Sequence, residues 1–399
     1  MPLPMPLSVP AFPAPELGEP YLLTPGPLTT AMSVKAAMLR DWGSWDGDFR
    51  AMTQSMSEQI LDLAGDEAGA FAVVPMQGSG SFCVEAMLGS LVPRAGKVLV
   101  LANGAYGLRA AETLRYLGRA FTLIDKGDYM PPRGDEVAAA LAVDPAISHV
   151  LAIHCETSSG IENPVAEIAQ AVAARGRKLL IDAMSAFGAL DLDCRRIRYE
   201  AMVSSANKCI EGVPGFGFVV VRKTALAASR GNSHSLCLDL HAQWEVLQKT
   251  GQWRFTPPTH VVAAFLEALR LHRAEGGVAA RGARYAQNRD VLVAGMRALG
   301  FETLLKDRWL SPVIVTFFNP AHPAFDFARF YQGMKAHGFI IYPGKLTVVD
   351  SFRIGCIGRL DAAVMRLVVQ AAGAALAEMG VEDAAPSAQA LAERAKLAA

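Results

Sequence analysis

The sequence has no excess of either charge, with 38 Lys and Arg residues against 38 Asp and Glu residues among 399. A chain without a basic excess lacks the electrostatic signature of a protein that binds nucleic acid or a membrane surface, so we expect small-molecule partners. It also lacks any run of 18 or more apolar residues, which predicts no membrane span.

The first twenty residues contain no Lys or Arg ahead of their apolar residues, which argues against a signal peptide. Prolines interrupt this stretch repeatedly, so we predict an extended Pro-rich arm over residues 1–20. With neither a targeting segment nor a membrane span in view, the expected location is the cytoplasm.

Cysteine is scarce and scattered. No two cysteines form a CxxC pair, and none has the Cys/His spacing of a zinc site. This pattern is typical of reduced thiols in a reducing compartment, and we predict no metal site. The six residues are Cys83, Cys155, Cys194, Cys209, Cys237 and Cys356.

Short apolar runs alternate with helical patterns through the first half of the chain. The runs predicted as strands are residues 71–76, 97–102, 121–125, 149–154, 179–182 and 216–221. Strands that alternate with helices at this spacing are typical of an α/β fold with a mainly parallel, doubly wound sheet.

The length of 399 residues exceeds that of one ordinary domain, so we expect two. The predicted large domain covers residues 21–275, and a smaller α+β domain covers residues 276–380. An Ala-rich tail follows over residues 381–399. Residues 41–50, with two tryptophans and three aspartates, are predicted to be a loop whose aromatic side chains either pack or line a pocket.

An acid and an amine stand at two strand ends. Asp182 closes the apolar run KLLID, and Lys208 closes the polar turn SSANK ahead of a Gly/Pro loop. A pyridoxal phosphate (PLP) enzyme needs such a pair, because the lysine holds the cofactor aldehyde as a Schiff base and the acid keeps the pyridine nitrogen protonated. A buried salt bridge between the two residues would explain the same pattern.

Glycines and hydroxyls follow the first predicted strand in the segment QGSGS, residues 77–81, just before a helical pattern. Free backbone N–H groups at such a turn can bind a phosphate. An ordinary tight turn is the alternative. A dinucleotide fingerprint would need a third glycine at the position of Cys83, so that interpretation is weak.

Two more side chains follow strands of the predicted sheet. Tyr106 lies in NGAYG and Thr157 in HCETSSG. Ligands of parallel sheets collect at the carboxyl ends of the strands, so we expect both residues near Asp182 and Lys208. Tyr106 could stack on a cofactor ring or simply belong to the core.

Arg353 lies between apolar residues in the strand-like run SFRIGCIG. A buried guanidinium requires an anionic partner, either a carboxylate of the protein or a ligand. A bidentate guanidinium suits the carboxylate or phosphonate of a substrate. The sequence leaves the structural salt bridge and the ligand site equally open.

Taken together, these motifs resemble a known family, the class V aminotransferases of PLP fold type I. The similarity is dense from about Tyr21 to Met379. The matching segments are TPGPLTT, QGSGS, NGAYG, HCETSSG, IDAMSAFG, SSANKCIEGVPGFGFV, WRFTPPTH, IYPGK and FRIGCIG. The resemblance implies a mainly parallel seven-stranded sheet in the large domain and PLP as the cofactor.

The resemblance also assigns roles to individual residues. It implies that Lys208 and Asp182 are catalytic, that Arg353 binds the anionic end of the substrate, and that the enzyme is a homodimer. Thr256 would then reach the cofactor phosphate of the neighbouring subunit. The implied cofactor-binding residues are Ser79, Gly80, Ser81, Tyr106, Thr157, Asp182, Asn207, Lys208 and Thr256.

The implied activity is transfer of an amino group from 2-aminoethylphosphonate to pyruvate, with phosphonoacetaldehyde and L-alanine as products. An alanine–glyoxylate or serine–pyruvate activity is the nearest alternative, because residues 41–50 are less acidic than is usual in the family. A desulfurase-like lyase is disfavoured, since no cysteine lies in a Gly-rich loop. A nucleotide-binding reductase and a non-catalytic dimeric scaffold are the remaining alternatives.

Overall fold

The computed structural model describes residue 15 and residues 18–345 and 349–397. Its strands are β1 (Tyr21–Leu22), β2 (Phe71–Gly78), β3 (Lys97–Ala102), β4 (Ala120–Asp125), β5 (Ile147–Ile153), β6 (Cys155–Glu156), β7 (Ile161–Glu162), β8 (Lys178–Asp182), β9 (Ala201–Ser205), β10 (Gly215–Arg222), β11 (Ile314–Phe318), β12 (Phe339–Ile340), β13 (Tyr342–Pro343) and β14 (Ser351–Gly355).

The helices connect and cover these strands. They are α1 (Met32–Ala36), α2 (Gly47–Leu63), α3 (Gly80–Leu91), α4 (Ala105–Tyr116), α5 (Gly134–Val143), α6 (Val165–Ala174), α7 (Lys223–Ala228), α8 (Leu240–Thr250), α9 (Thr259–Glu275), α10 (Gly277–Ala298), α11 (Phe327–Ala336), α12 (Ala362–Met379) and α13 (Ala388–Leu397). Most of the predicted Pro-rich arm, residues 1–20, lies outside the described residues.

A seven-stranded sheet in the order β2-β10-β9-β8-β5-β3-β4 forms the centre of the molecule. β10 runs antiparallel to both of its neighbours, and the other adjacent pairs are parallel. Helices cover both faces, so the central strands are continuously apolar rather than alternating. The predicted α/β fold with a mainly parallel sheet is confirmed.

A smaller antiparallel sheet, in the order β11-β14-β13, lies in the C-terminal part of the chain. Its core is rich in aromatic residues: the ring of Phe352 lies 5.3 to 5.7 Å from those of Phe301, Phe317 and Phe330. β1 pairs with β12, so the first described strand joins the hydrophobic core of the C-terminal part. The proposed domain boundaries at residues 275 and 380 stay a prediction.

Helix α12 is long and apolar enough to cross a membrane, and it is the one such helix among the described residues. Half of its apolar stretch is buried inside the fold. It packs against α10 and α11, as expected of a core helix.

Two local predictions were wrong. Residues 41–50 are not all loop, because α2 begins at Gly47, where the Asp46 carboxylate accepts a hydrogen bond from the Asp48 N–H at 2.9 Å. Ser204 and Ser205 do not belong to a turn: they end β9, buried between β8 and β10. β9 is short and ends in two hydroxyls, so apolar patterning did not reveal it.

A buried ionic cluster holds the turn after Lys208 against α10. The Arg281 guanidinium contacts Glu275 at 2.8 Å and also donates to the carbonyl of Cys209. The Nη2 of Arg284 contacts Glu211 at 2.8 Å. Its Nη1 donates to the carbonyls of residues 358 and 360 at 2.7 and 2.8 Å. The cluster therefore joins the lysine turn to the turn that follows β14.

We expect Arg281→Ala to lower the free energy of unfolding by about 3 kcal/mol or more, because it leaves buried carboxylates without one of their cations. The Arg281 side chain is 1% exposed. The matched control is Arg270→Ala, whose side chain is 63% exposed and pairs with Glu267 on the same helix; its effect should stay below about 1 kcal/mol. Urea unfolding followed by circular dichroism measures both, and equal midpoints would contradict this role of the cluster.

Candidate active site

A cavity of about 220 Å³ opens where the strands of the central sheet end. Six of the residues proposed from the sequence line it. These are Gly80, Ser81, Tyr106, Thr157, Asp182 and Lys208. Ser79, Asn207, Thr256 and Arg353 are not among its lining residues.

Lys208 lies three residues beyond the end of β9, and its amine donates a hydrogen bond to the carbonyl of Pro25. Burial lowers the pKa of this amine to about 8. A larger neutral fraction is therefore available near neutral pH than for an ordinary lysine, which favours a role as nucleophile or proton carrier.

Gly26 packs directly against this lysine. A side chain at position 26 would place its Cβ 2.7 Å from the Lys208 Nζ, and the φ angle of +110° also favours glycine. A contact across 182 residues of chain leaves no local signal of its partner.

Asp182 ends β8 at the cavity wall. One of its carboxylate oxygens accepts a hydrogen bond from the Met184 N–H at 2.9 Å. Burial nevertheless raises the pKa of Asp182 to about 6. Asp182 and Lys208 are both described by the structure, and no ion pair within 4.0 Å joins them. The salt-bridge alternative therefore does not account for their burial.

The predicted phosphate turn connects β2 to α3. Gly78 still pairs in β2, Ser79 occupies the N-cap position of α3, and its side chain makes no capping hydrogen bond. The free N–H groups of the first turn and the helix dipole therefore face the sheet edge without a capping side chain. A Cβ at position 80 would lie 2.3 Å from the Met184 sulfur, so a larger residue there would require the Met184 side chain to move.

Asn207 and Thr256 lie outside the cavity of the single chain. The Asn207 side-chain oxygen accepts a hydrogen bond from the Ser205 hydroxyl at 3.0 Å. Thr256 is exposed in the loop that precedes α9. No described contact brings Thr256 to the other predicted site residues.

Tyr106 is held in place by Glu156, which sequence reasoning missed. This buried carboxylate accepts hydrogen bonds from the N–H groups of Tyr106 and Gly107, at 3.0 and 3.3 Å, at the N-terminus of α4. It also accepts from the backbone N–H and the hydroxyl of Ser158, at 3.1 and 2.6 Å. The motif HCETSSG therefore positions α4 as well as the cavity wall.

Arg353 is buried in the middle of β14. Its Nε donates to the carbonyl of Pro343 at 3.0 Å, and its Nη1 donates to the carbonyl of Thr157 at 2.9 Å. No carboxylate among the described residues forms an ion pair with it. Of the two alternatives that the sequence left open, the structural salt bridge is therefore absent from the described part of the chain.

Further lining residues had no assigned role in the sequence. They include Arg109, Cys155, Met184 and Ser185. Arg109 lies one helical turn beyond Tyr106 on α4, a spacing that places both side chains on one face. That spacing was the signal in the sequence from which Arg109 could have been predicted as a site residue. Among the described residues, no group of three or more His, Cys, Asp and Glu side chains is arranged to hold a metal ion.

Comparison with known proteins decides the family. The model of the family described as aminotransferase class-V matches residues 80–336. The chain is 73% identical to the 2-aminoethylphosphonate–pyruvate transaminase of Rhizobium meliloti (strain 1021), covering 96% of this chain and all of that one. It is 69% identical to 2-aminoethylphosphonate–pyruvate transaminase 1 of Paraburkholderia xenovorans (strain LB400), over 96% of this chain and 99% of the relative.

The chain belongs to the class V aminotransferases. The resemblance predicted from its motifs is thereby confirmed. Among solved structures, the pyridoxamine-pyruvate aminotransferase of Mesorhizobium loti superimposes with a TM-score of 0.83, at 23% identity, over 97% of this chain and all of the other. At that identity the match supports the fold alone, which is that of fold type I.

Class V aminotransferases use PLP, and the residues at the cavity fit this cofactor. The buried amine of Lys208, which is partly neutral, suits the cofactor aldehyde. The buried carboxyl of Asp182, which has no ion pair, suits the ring nitrogen. The uncapped N-terminus of α3 at Gly80 suits the phosphate.

The lowered pKa of Lys208 makes a testable prediction for the cofactor-free protein. Only a neutral amine reacts with acetic anhydride, so acetylation of Lys208 should rise with a midpoint near pH 8, well below the value of about 10.4 of an unperturbed lysine. Competitive labelling followed by mass spectrometry measures it. Reaction of Lys208 in parallel with Lys249, which is 68% exposed, would contradict the effect of burial.

Proposed function

We propose that this chain transfers the amino group of 2-aminoethylphosphonate to pyruvate and releases phosphonoacetaldehyde and L-alanine. The observation that carries the proposal is the naming of its relatives: proteins 52 to 73% identical over 91 to 96% of the chain are named for this activity. The site residues in this proposal are those that the family resemblance implies.

PLP, when bound, supplies a carbonyl group for the amino group and an electron-withdrawing ring that stabilises negative charge on the substrate carbon. Lys208 acts as the proton carrier, because its pKa of about 8 lets the amine both take and return a proton near neutral pH. With the cofactor bound, Asp182 would stabilise a positive charge on the ring nitrogen, and that charge would keep this buried carboxyl ionised.

Both substrates carry an anion. Pyruvate has a carboxylate, whereas the donor has a phosphonate and no α-carboxylate. Arg353 is buried, lacks an ion pair among the described residues and is hydrogen-bonded to the carbonyl of Thr157 in the cavity wall. It binds the substrate anion, and the carbonyls of Pro343 and Thr157 orient its guanidinium for that contact.

The enzyme is a homodimer in this proposal. Thr256 is exposed and outside the cavity of its own chain, so its family role at the cofactor phosphate requires a second copy. The location is the cytoplasm, since all six cysteines are free, as is usual in a reducing compartment.

A donor screen tests the activity. Purified holoenzyme with pyruvate should form alanine with 2-aminoethylphosphonate as donor and show much lower kcat/KM with serine. The alternative alanine–glyoxylate activity is measured in parallel, with alanine as donor and glyoxylate as acceptor. A higher kcat/KM for alanine and glyoxylate, or for serine and pyruvate, would replace the proposal by that activity.

Asp182→Asn tests the role of the buried carboxyl. The amide keeps the shape and the hydrogen bond from Met184 but cannot stabilise a charged ring nitrogen, so kcat should fall roughly a hundredfold or more. Visible absorbance should show that the cofactor is retained. Asp62→Asn, whose side chain is 77% exposed, serves as the control. A near-normal rate in Asp182→Asn would refute the charge-stabilising role.

A further inference from the structure

Cationic side chains surround Tyr106 at the mouth of the cavity. The guanidinium carbon of Arg109 lies 4.9 Å from the centre of the Tyr106 ring, and the Lys345 amine lies 5.3 Å from the same point. Arg353 is bonded to the neighbouring cavity residue Thr157. Two parts of the chain that are distant in sequence, α4 and the segment from Lys345 to Arg353, thus bring positive charge to one place.

The two outer cations are near carboxylates, Glu156 for Lys345 and Asp182 for Arg109, but are not paired with them. Neither Arg109 nor Lys345 forms an ion pair with any described carboxylate. The nearby Glu156 already accepts four hydrogen bonds at the start of α4. Burial lowers the pKa of Lys345, and repulsion by Arg109 and Arg353 lowers it further, while attraction by Glu156 offsets part of this shift. Such a cluster is unfavourable unless an anion occupies it.

The charge and shape of the two substrate anions differ. A carboxylate has one charge and two oxygens, which a single bidentate arginine can satisfy. A phosphorus oxyanion carries up to two charges near neutral pH and presents three acceptor oxygens. Three cations therefore exceed the need of pyruvate and match that of a phosphonate.

We infer that Arg109 and Lys345, together with Arg353, form the phosphonate subsite, and that these two residues determine the preference for a phosphonate donor over a carboxylate donor. The inference rests on the proposed function and assigns a binding site to the phosphonate of its donor. The opposing assignment is that Arg109 serves the cofactor phosphate, because its Nη1 also lies 3.5 Å from the Ser81 hydroxyl.

Ethylphosphonate and propionate test the subsite directly, because they share an alkyl chain, differ in the anion and cannot react. Calorimetric titration of each into the holoenzyme should show that the wild type prefers ethylphosphonate. Arg109→Gln and Lys345→Gln should each weaken ethylphosphonate binding about tenfold, the loss expected for one charge-assisted contact, and change propionate binding by less than about threefold. Arg115→Gln, an exposed arginine in the last turn of the same helix, should leave both unchanged.

Kinetics separate this role from a structural one. In both variants the KM for 2-aminoethylphosphonate should rise while the KM for pyruvate and the affinity for PLP stay at wild-type values. The inference would be overturned if the wild type showed no preference for ethylphosphonate over propionate, or if the variants kept that preference. It would also be overturned if Arg109→Gln weakened PLP affinity and left the preference unchanged. If the wild type fails to use 2-aminoethylphosphonate, the proposed function falls, and the ethylphosphonate titrations still decide the subsite.

Discussion

The structure depends on burying an amine and a carboxyl close to one cavity without pairing them. Lys208 and Asp182 would gain most from a salt bridge with each other, yet the amine bonds to the carbonyl of Pro25 and the carboxyl to the N–H of Met184. Burial therefore lowers the pKa of one group to about 8 and raises that of the other to about 6. Both groups are left to interact with a cofactor, and the cost in stability must be offset by the surrounding fold.

The surrounding fold supplies rigidity at several points. Asp182 ends a strand that is paired on both sides, and Lys208 follows the neighbouring strand β9. The ionic cluster on α10 joins the turn after Lys208 to the turn after β14. The strand that carries Arg353 and the turn that carries the lysine are thereby connected through buried charges, whose geometry is difficult to deform. Arg353 and Lys208, to which our proposal assigns the substrate anion and the cofactor aldehyde, are thus held by one connected framework.

Charge around the cavity is distributed in a way that suits two anionic substrates. Arg353 is buried and oriented by two carbonyls, which fits a role common to both half-reactions. Arg109 and Lys345 lie around Tyr106. In our proposal the buried arginine binds whichever anion is present, and the two outer cations add the contacts that only a phosphonate can use.

The sequence by itself determined the alternation of strands and helices, the mainly parallel sheet, and the strand end at which Asp182 lies, because these follow from local periodicity and from the geometry of parallel sheets. It failed for β9, whose short run ends in serines, and for the start of α2, where a capping aspartate outweighed the loop-like composition. Tertiary structure alone decided that Gly26 contacts Lys208, that Glu156 holds the start of α4, and that Arg109, Lys345 and Arg353 converge. Each of these contacts joins residues far apart in the chain, and the physical requirement that creates it exists only once the sheet has brought them together.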